Sequence, residues 1–167
     1  MIPPKVRKLM LTIHVTSSVG WLGAIVAYVA LNVPALGDDD QSARAAYLMM
    51  APVMRYALVP LALVSLATGI AQALGTPWGL FRHYWVTISL VVTLFATAIL
   101  VLHIPAVESM RDVAADPSRS VDHLGGDLFH SIGGFVVLLV PLILHIYKPK
   151  GMTPYGWRRR QALSTAK

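Results

Sequence analysis

Apolar residues gather in four long runs, at residues 9–33, 56–74, 85–104 and 128–147, separated by shorter polar stretches. A helix rises 1.5 Å per residue, so about 20 residues cross the roughly 30 Å of hydrocarbon in a bilayer. None of the runs shows the ~10-residue apolar/polar alternation of a membrane barrel. Within lipid only helices and closed barrels satisfy their backbone polar groups. The pattern therefore predicts an all-α protein, a transmembrane four-helix bundle over residues 1–150, followed by a tail at 151–167.

Polar and helix-breaking residues set the predicted limits of these elements. Asp40 or Ser42 can cap a helix start, so residues 42–54 extend the second helix before its apolar run. Pro52 and Pro60 each remove a backbone donor and should kink it. A short Gly- and Pro-containing turn covers residues 75–82. Pro105 is expected to end the third helix, and a polar loop of about 20 residues leads to the fourth.

The 14 basic residues are distributed unevenly. Lys5, Arg7 and Lys8 precede the first run, Arg82 lies between the second and third, and Lys148, Lys150, Arg158, Arg159, Arg160 and Lys167 follow the fourth. The other two connections hold Arg44, Arg55, Arg111 and Arg119 together with all eight acids. Positive residues remain in the cytoplasm, so both termini are expected inside, in a bacterial plasma membrane. The first run is longer than the ~7–15 apolar residues of a signal peptide and reads as a retained span. The tail is expected at the inner surface, near anionic lipid.

Composition supports this reading. The chain is 56% hydrophobic and 13% charged, with mean hydropathy +0.62, against about 25% charged residues in soluble domains. The net charge of +6 is divided by segment and describes topology, not a nucleic-acid partner. Cysteine is absent, which excludes disulfides, thiolate metal sites and cysteine nucleophiles.

The candidate chemistry lies with the histidines. In residues 120–147, His123, Asp127, His130 and Gly134 recur at helical steps and would share one face. By depth the histidines form two layers. His103 and His130 lie near the outside, with His123 above them. His14 and His145 lie near the inside, with His83 below. Ionisable groups inside a span are functional candidates by default. Two imidazoles from different helices can ligate one haem iron axially. The pattern thus points to a membrane protein binding one or two haems b and moving electrons, with a quinol or redox protein as partner. His103 and His130 would hold an outer haem, with Gly133 and Gly134 admitting the macrocycle, and His14 with His145 or His83 an inner one. Arg55, Arg111 or Arg119 outside, and Arg82 inside, could pair with propionates.

Two other readings stand beside this one. His103, His123, Asp127 and His130 could bind copper or zinc at the outer face without haem, or Asp127 could orient His130. Met49, Met50 and Met54 lie toward the same side, and Met with His suits Cu(I). The histidines could instead hydrogen-bond between helices in a structural accessory subunit.

Five motifs carry a resemblance: HVTSSVGWLGA (14–24), FRHYW (81–85), VLH (101–103), FHSIGG (129–134) and YKPKGMTPYG (147–156). Together they resemble a family of small actinobacterial integral membrane proteins over nearly the whole chain. His14, Trp21 and Gly23 are also similar to a histidine and Trp-x-Gly pattern in CopD-type copper-resistance domains and HemJ-type protoporphyrinogen oxidases. Small four-helix dihaem cytochromes b are similar in architecture alone. The wider resemblance implies a membrane protein associated with haem or copper.

Overall fold

The computed structural model describes residues 3–165; Lys167, assigned to the basic tail, lies outside them. The chain forms α1 (Pro4–Ala35), α2 (Asp40–Val53), a π turn (Met54–Leu58), α3 (Val59–Gly75), α4 (Tyr84–Ala115), α5 (Leu128–Tyr147) and α6 (Pro154–Thr165). The stretch from α2 through α3 is continuous, so four helices are long and apolar enough to cross a membrane. α1 packs on α2, α3 and α5, and α4 packs on the same three, which closes a four-helix bundle.

Only 17% to 22% of the most apolar stretch of each span is buried inside the protein. Large side chains such as Leu9, Val33, Phe95, Leu102 and Ile146 face outward. An apolar surface this extensive is the kind that lipid covers.

The bundle has a termini end, carrying residues 76–83 and α6, and a loop end, carrying residues 36–39 and 116–127. α5, with 20 residues, matches the hydrocarbon thickness. α4, with 32 residues, is longer than a bilayer requires by about 18 Å. The excess projects at the loop end, where the start of α2 packs on the end of α4. Ala43, Ala46, Tyr47 and Met50 are buried with Val107, Val113 and Ala114. This packing explains why Pro105, expected to end the helix, lies inside α4. Losing one hydrogen bond is outweighed by burying the residues beyond it.

The expected extension of the second helix is present, with a different cap. Asp39, not Asp40 or Ser42, caps α2, accepting from the Ser42 N–H at 3.1 Å. Arg44 donates to the Asp40 carboxylate and to the carbonyls of Ala114, Asp116 and Arg119, which ties the long loop to α2. Where kinks were expected at Pro52 and Pro60, the chain takes one π turn between them. Within it the Val59 N–H donates to Met54 O, five residues back.

At the termini end, the tail folds back onto the bundle. Thr153 N donates to Arg82 O at 3.0 Å and Tyr84 N to Gly151 O at 3.4 Å. Gly156 lies so close to the Arg82 carbonyl that a Cβ there would collide with it. α6 then presents Arg158, Arg159 and Arg160 outward.

Gly125 and Gly126 adopt left-handed backbone, φ 65° and 69°, and stop any helix from starting above Leu128. A Cβ at Gly126 would lie 2.8 Å from Leu36 Cδ2, whereas at Gly125 it meets open space. Replacing either by Ala should cost about 1–2 kcal/mol for the left-handed backbone, and more at Gly126, where Leu36 must move. Thermal unfolding in detergent checks the order; an equal or larger loss at Gly125 would contradict it.

The Ser42 hydroxyl and then the Ser42 N–H hold the Asp39 carboxyl below the usual carboxylate range. A lowered folded pKa contributes stability above the unfolded value and loses it as the pH falls through the folded one. The melting-temperature difference between wild type and Asp39→Ala, present at pH 7, should therefore shrink below about pH 4.

Candidate functional site

The loop-end site is built on a buried acid. Asp127 stands at the N-cap position of α5, with its side chain turned to other partners, and is 4% exposed. Its Oδ2 accepts from the Tyr28 hydroxyl at 2.9 Å. Its Oδ1 lies 2.8 Å from His103 Nε2 and 3.1 Å from His130 Nδ1. Its backbone N–H donates to Asn32 Oδ1 at 2.6 Å, while Asn32 Nδ2 donates to Tyr28 O on the same helix. An ionised carboxylate only accepts, so the hydrogen bond with His103 places a proton on that Nε2.

The preceding loop is fixed in the same way. Gly126 N donates to the Tyr47 hydroxyl, which donates to Ala35 O. Ser131 Oγ donates to Asp127 O at 2.8 Å. Asp127 is thus held from α1, α2, α4 and α5 together.

The rings of His103 and His130 stack at 3.9 Å between centroids, with planes 24° apart. Axial imidazoles approach an iron nitrogen-first from opposite faces of a macrocycle. Rings lying face to face at this distance leave no room for one, so an outer haem between His103 and His130 does not fit. The ligand atoms of His103, Asp127 and His130 instead all lie within 4.8 Å of one another, a compact N,N,O set of the kind that holds a divalent ion.

His123 does not join this cluster. It is exposed in the loop, because the two left-handed glycines break the helical face on which it was expected. Arg55 pairs with Glu108 at 2.8 Å on the surface of the helical extension, and Arg111 pairs with Asp112. Neither lines the cavity beside the cluster.

That cavity measures about 420 Å³. Its wall is almost wholly apolar and includes Trp21, Ile25, Phe95, Leu100, Gly133 and Gly134. Met54 and Leu58, the two buried residues of the π turn, also line it. Met50 is fully buried elsewhere and Met49 is exposed, so one of the three methionines reaches the cavity.

The termini end holds a second pair. His14 on α1 faces His145 on α5, with ring centroids 5.8 Å apart and planes at 45°. His14 Nδ1 lies 3.0 Å from Ser65 O and 3.2 Å from the Thr68 hydroxyl. His145 Nδ1 lies 2.7 Å from Pro141 O. A carbonyl only accepts, so both Nδ1 atoms carry hydrogen, and in the neutral form of each ring the lone pair is then on Nε2. Anchoring one ring nitrogen to a carbonyl is how proteins orient a metal-binding histidine. Trp85 holds His145 edge-on, with centroids 5.4 Å apart.

Two cavities, of about 330 Å³ and 50 Å³, share His14, Ser65, Thr93 and His145 in their walls. Gly69 makes room for the pair: a Cβ there would lie 3.1 Å from His14 Cε1. His83 stands apart, with Nδ1 2.9 Å from Trp78 O, and Arg82 bonds Pro77 O. The pairing at this end is therefore His14 with His145.

Sequence reasoning missed Asn32, Ser65, Thr68 and Gly69. Asn32 carried a signal, being the only asparagine in the chain and lying inside an apolar run. No family model, curated protein or solved structure matches the chain.

Replacing Tyr28 by Phe leaves Asp127 Oδ2 without its buried donor and should cost about 1–3 kcal/mol. Because Tyr28 and His103 share one carboxylate, a double-mutant cycle with His103→Ala should show coupling of about 0.5–3 kcal/mol. Unfolding in detergent measures both; strict additivity would mean that Asp127 does not link the two helices.

Proposed function

We propose that the protein is a multi-pass membrane redox protein, with both termini in the cytoplasm of a bacterium, that holds one b-type haem between His14 and His145. The observation that carries this reading is the facing pair with both Nδ1 atoms tied to carbonyls. The donor set suits iron, since two neutral imidazoles from different helices are common haem-iron ligands in bundle cores. Ser89 lines the smaller adjoining cavity, is buried, and its Oγ has no partner, so the region contains a polar atom that a bound group could satisfy.

A bound b-type haem would supply one-electron transfer between ferric and ferrous iron. Ser65, Thr68 and Pro141 fix the two rings through Nδ1, Gly69 leaves His14 its space, and Trp85 restrains His145. Leu11 and Val15 from α1 and Leu142 from α5 line the cavity beside the pair, while His145 is itself exposed. A second redox protein or a quinol is the class of partner this reading implies.

A second reading rests on the loop-end cluster. His103, Asp127 and His130 could hold copper, zinc or iron(II) in an N,N,O set with open positions. Tyr28 and Asn32 would orient the carboxylate from behind.

Protein purified from haem-replete cells should show a Soret band, with α and β bands on reduction. His14→Ala and His145→Ala should each abolish them, and His130→Ala should leave them unchanged. A colourless, folded wild type would overturn the haem reading. Elemental analysis separates the second: about one copper, zinc or non-haem iron per chain, lost in Asp127→Asn, supports it, and a metal-free protein removes it.

A further inference from the structure

We propose that the loop-end cavity binds the head group of a lipid-soluble para-quinone or its hydroquinone. The cavity, about 420 Å³, falls in the size range of small-molecule sites, roughly 300–1,000 Å³. It is apolar along its length and polar at two separated places, a combination that selects the ligand.

One polar place is Trp21. It lines this cavity and also the one beside His14 and His145, is 3% exposed, and its indole N–H has no partner. Among the described residues it shares that condition only with Ser89 Oγ. Buried donors are nearly always satisfied, so an acceptor is missing here. The other polar place is the His103–Asp127–His130 cluster. Asp127 occupies Nε2 of His103 and lies nearest Nδ1 of His130, which leaves Nδ1 of His103 and Nε2 of His130 for another group. Each can accept from a hydroquinone hydroxyl or, carrying a proton, donate to a quinone oxygen.

The two places lie at different heights along α1. Trp21 and Tyr28, the α1 residue bonded to Asp127, are seven residues apart, or ~10 Å along the axis. A para-quinone carries its two oxygens at opposite ends of a flat ring, matching two polar places divided by apolar wall. An acyl chain would fill the same volume and leave the indole N–H unpaired.

The wall also suits a flat ring. A Cβ at Gly133 or Gly134 would meet nothing within 4 Å, so this part of α5 offers open backbone to the cavity. The cavity faces lipid as well. Phe95 and Ile99 on α4 and Phe129 on α5 line it while being 59%, 42% and 87% exposed. A molecule dissolved in the bilayer can therefore enter between α4 and α5 and leave its tail among the lipids.

Binding at this site needs no haem, so it is tested independently of the His14–His145 reading. The full chain is reconstituted in phosphatidylcholine nanodiscs and titrated with decylubiquinone and with menadione, following tryptophan fluorescence and melting temperature. Wild type and His145→Ala should both bind saturably, with a raised melting temperature. Gly134→Leu, which adds bulk to the wall while keeping a good helix former, should weaken binding at least tenfold. Gly133→Leu serves the same purpose if that variant melts early. Trp21→Phe should weaken binding about tenfold, read by melting temperature, through loss of one hydrogen bond. Quenching that never saturates, equal affinity in folded glycine variants, or loss of binding in His145→Ala would each overturn the proposal.

Discussion

A buried carboxylate must be fully hydrogen-bonded, and in this bundle Asp127 meets that demand by drawing on three spans. Its side chain and backbone are satisfied by Tyr28 and Asn32 from α1, by His103 from α4, and by a turn that begins α5. Helices in lipid have no hydrophobic drive to associate, because lipid tails are as apolar as leucine. Polar contacts and close packing must fix their register instead. Moving α1 or α4 by one turn, about 5.4 Å, would take Tyr28 or His103 away from the buried Asp127 side chain and leave it short of a hydrogen-bond partner. The heights of Tyr28 and His103 in the membrane are set by that cost.

The two histidine pairs differ in what accepts their protons. At the loop end a carboxylate draws both imidazoles to one oxygen, and the rings stack. At the termini end each Nδ1 bonds a helix carbonyl on a different segment, and the rings face each other with Nε2 unused. The same residue type at mirrored depths is thus given different chemistry by one choice of acceptor. A shared carboxylate gathers ligands on one side, as a small cation requires; separate carbonyls tie one nitrogen of each ring and leave the other unbonded.

Much of this fold was legible in the sequence because a 20-residue apolar run has few structural outcomes. The depth of each histidine could also be read, since depth follows from distance along a span. The azimuth of each side chain could not, because it depends on how four helices pack, and so His14 remained unassigned between His145 and His83. The loop-end extension was hidden for another reason. Pro105 reads locally as a stop, while the residues that carry α4 past it, Val107, Val113 and Ala114, bury themselves only against α2. The face shared by His123 and His130 was a misreading of period: Gly125 and Gly126 lie between them, and left-handed backbone ends any helical phase.

The π turn at Met54–Leu58 bears on how the molecule can change over generations. Successive residues in an α-helix rotate by about 100°, and a wide turn holds one residue more than the regular repeat accommodates. The two halves of the second span therefore run in different phases. Losing one residue inside 54–58 would restore an unbroken phase and swing every loop-end side chain of α2 away from its partners on α4. An insertion or deletion that an ordinary surface loop absorbs without effect would here detach the roof of the Asp127 site from its walls.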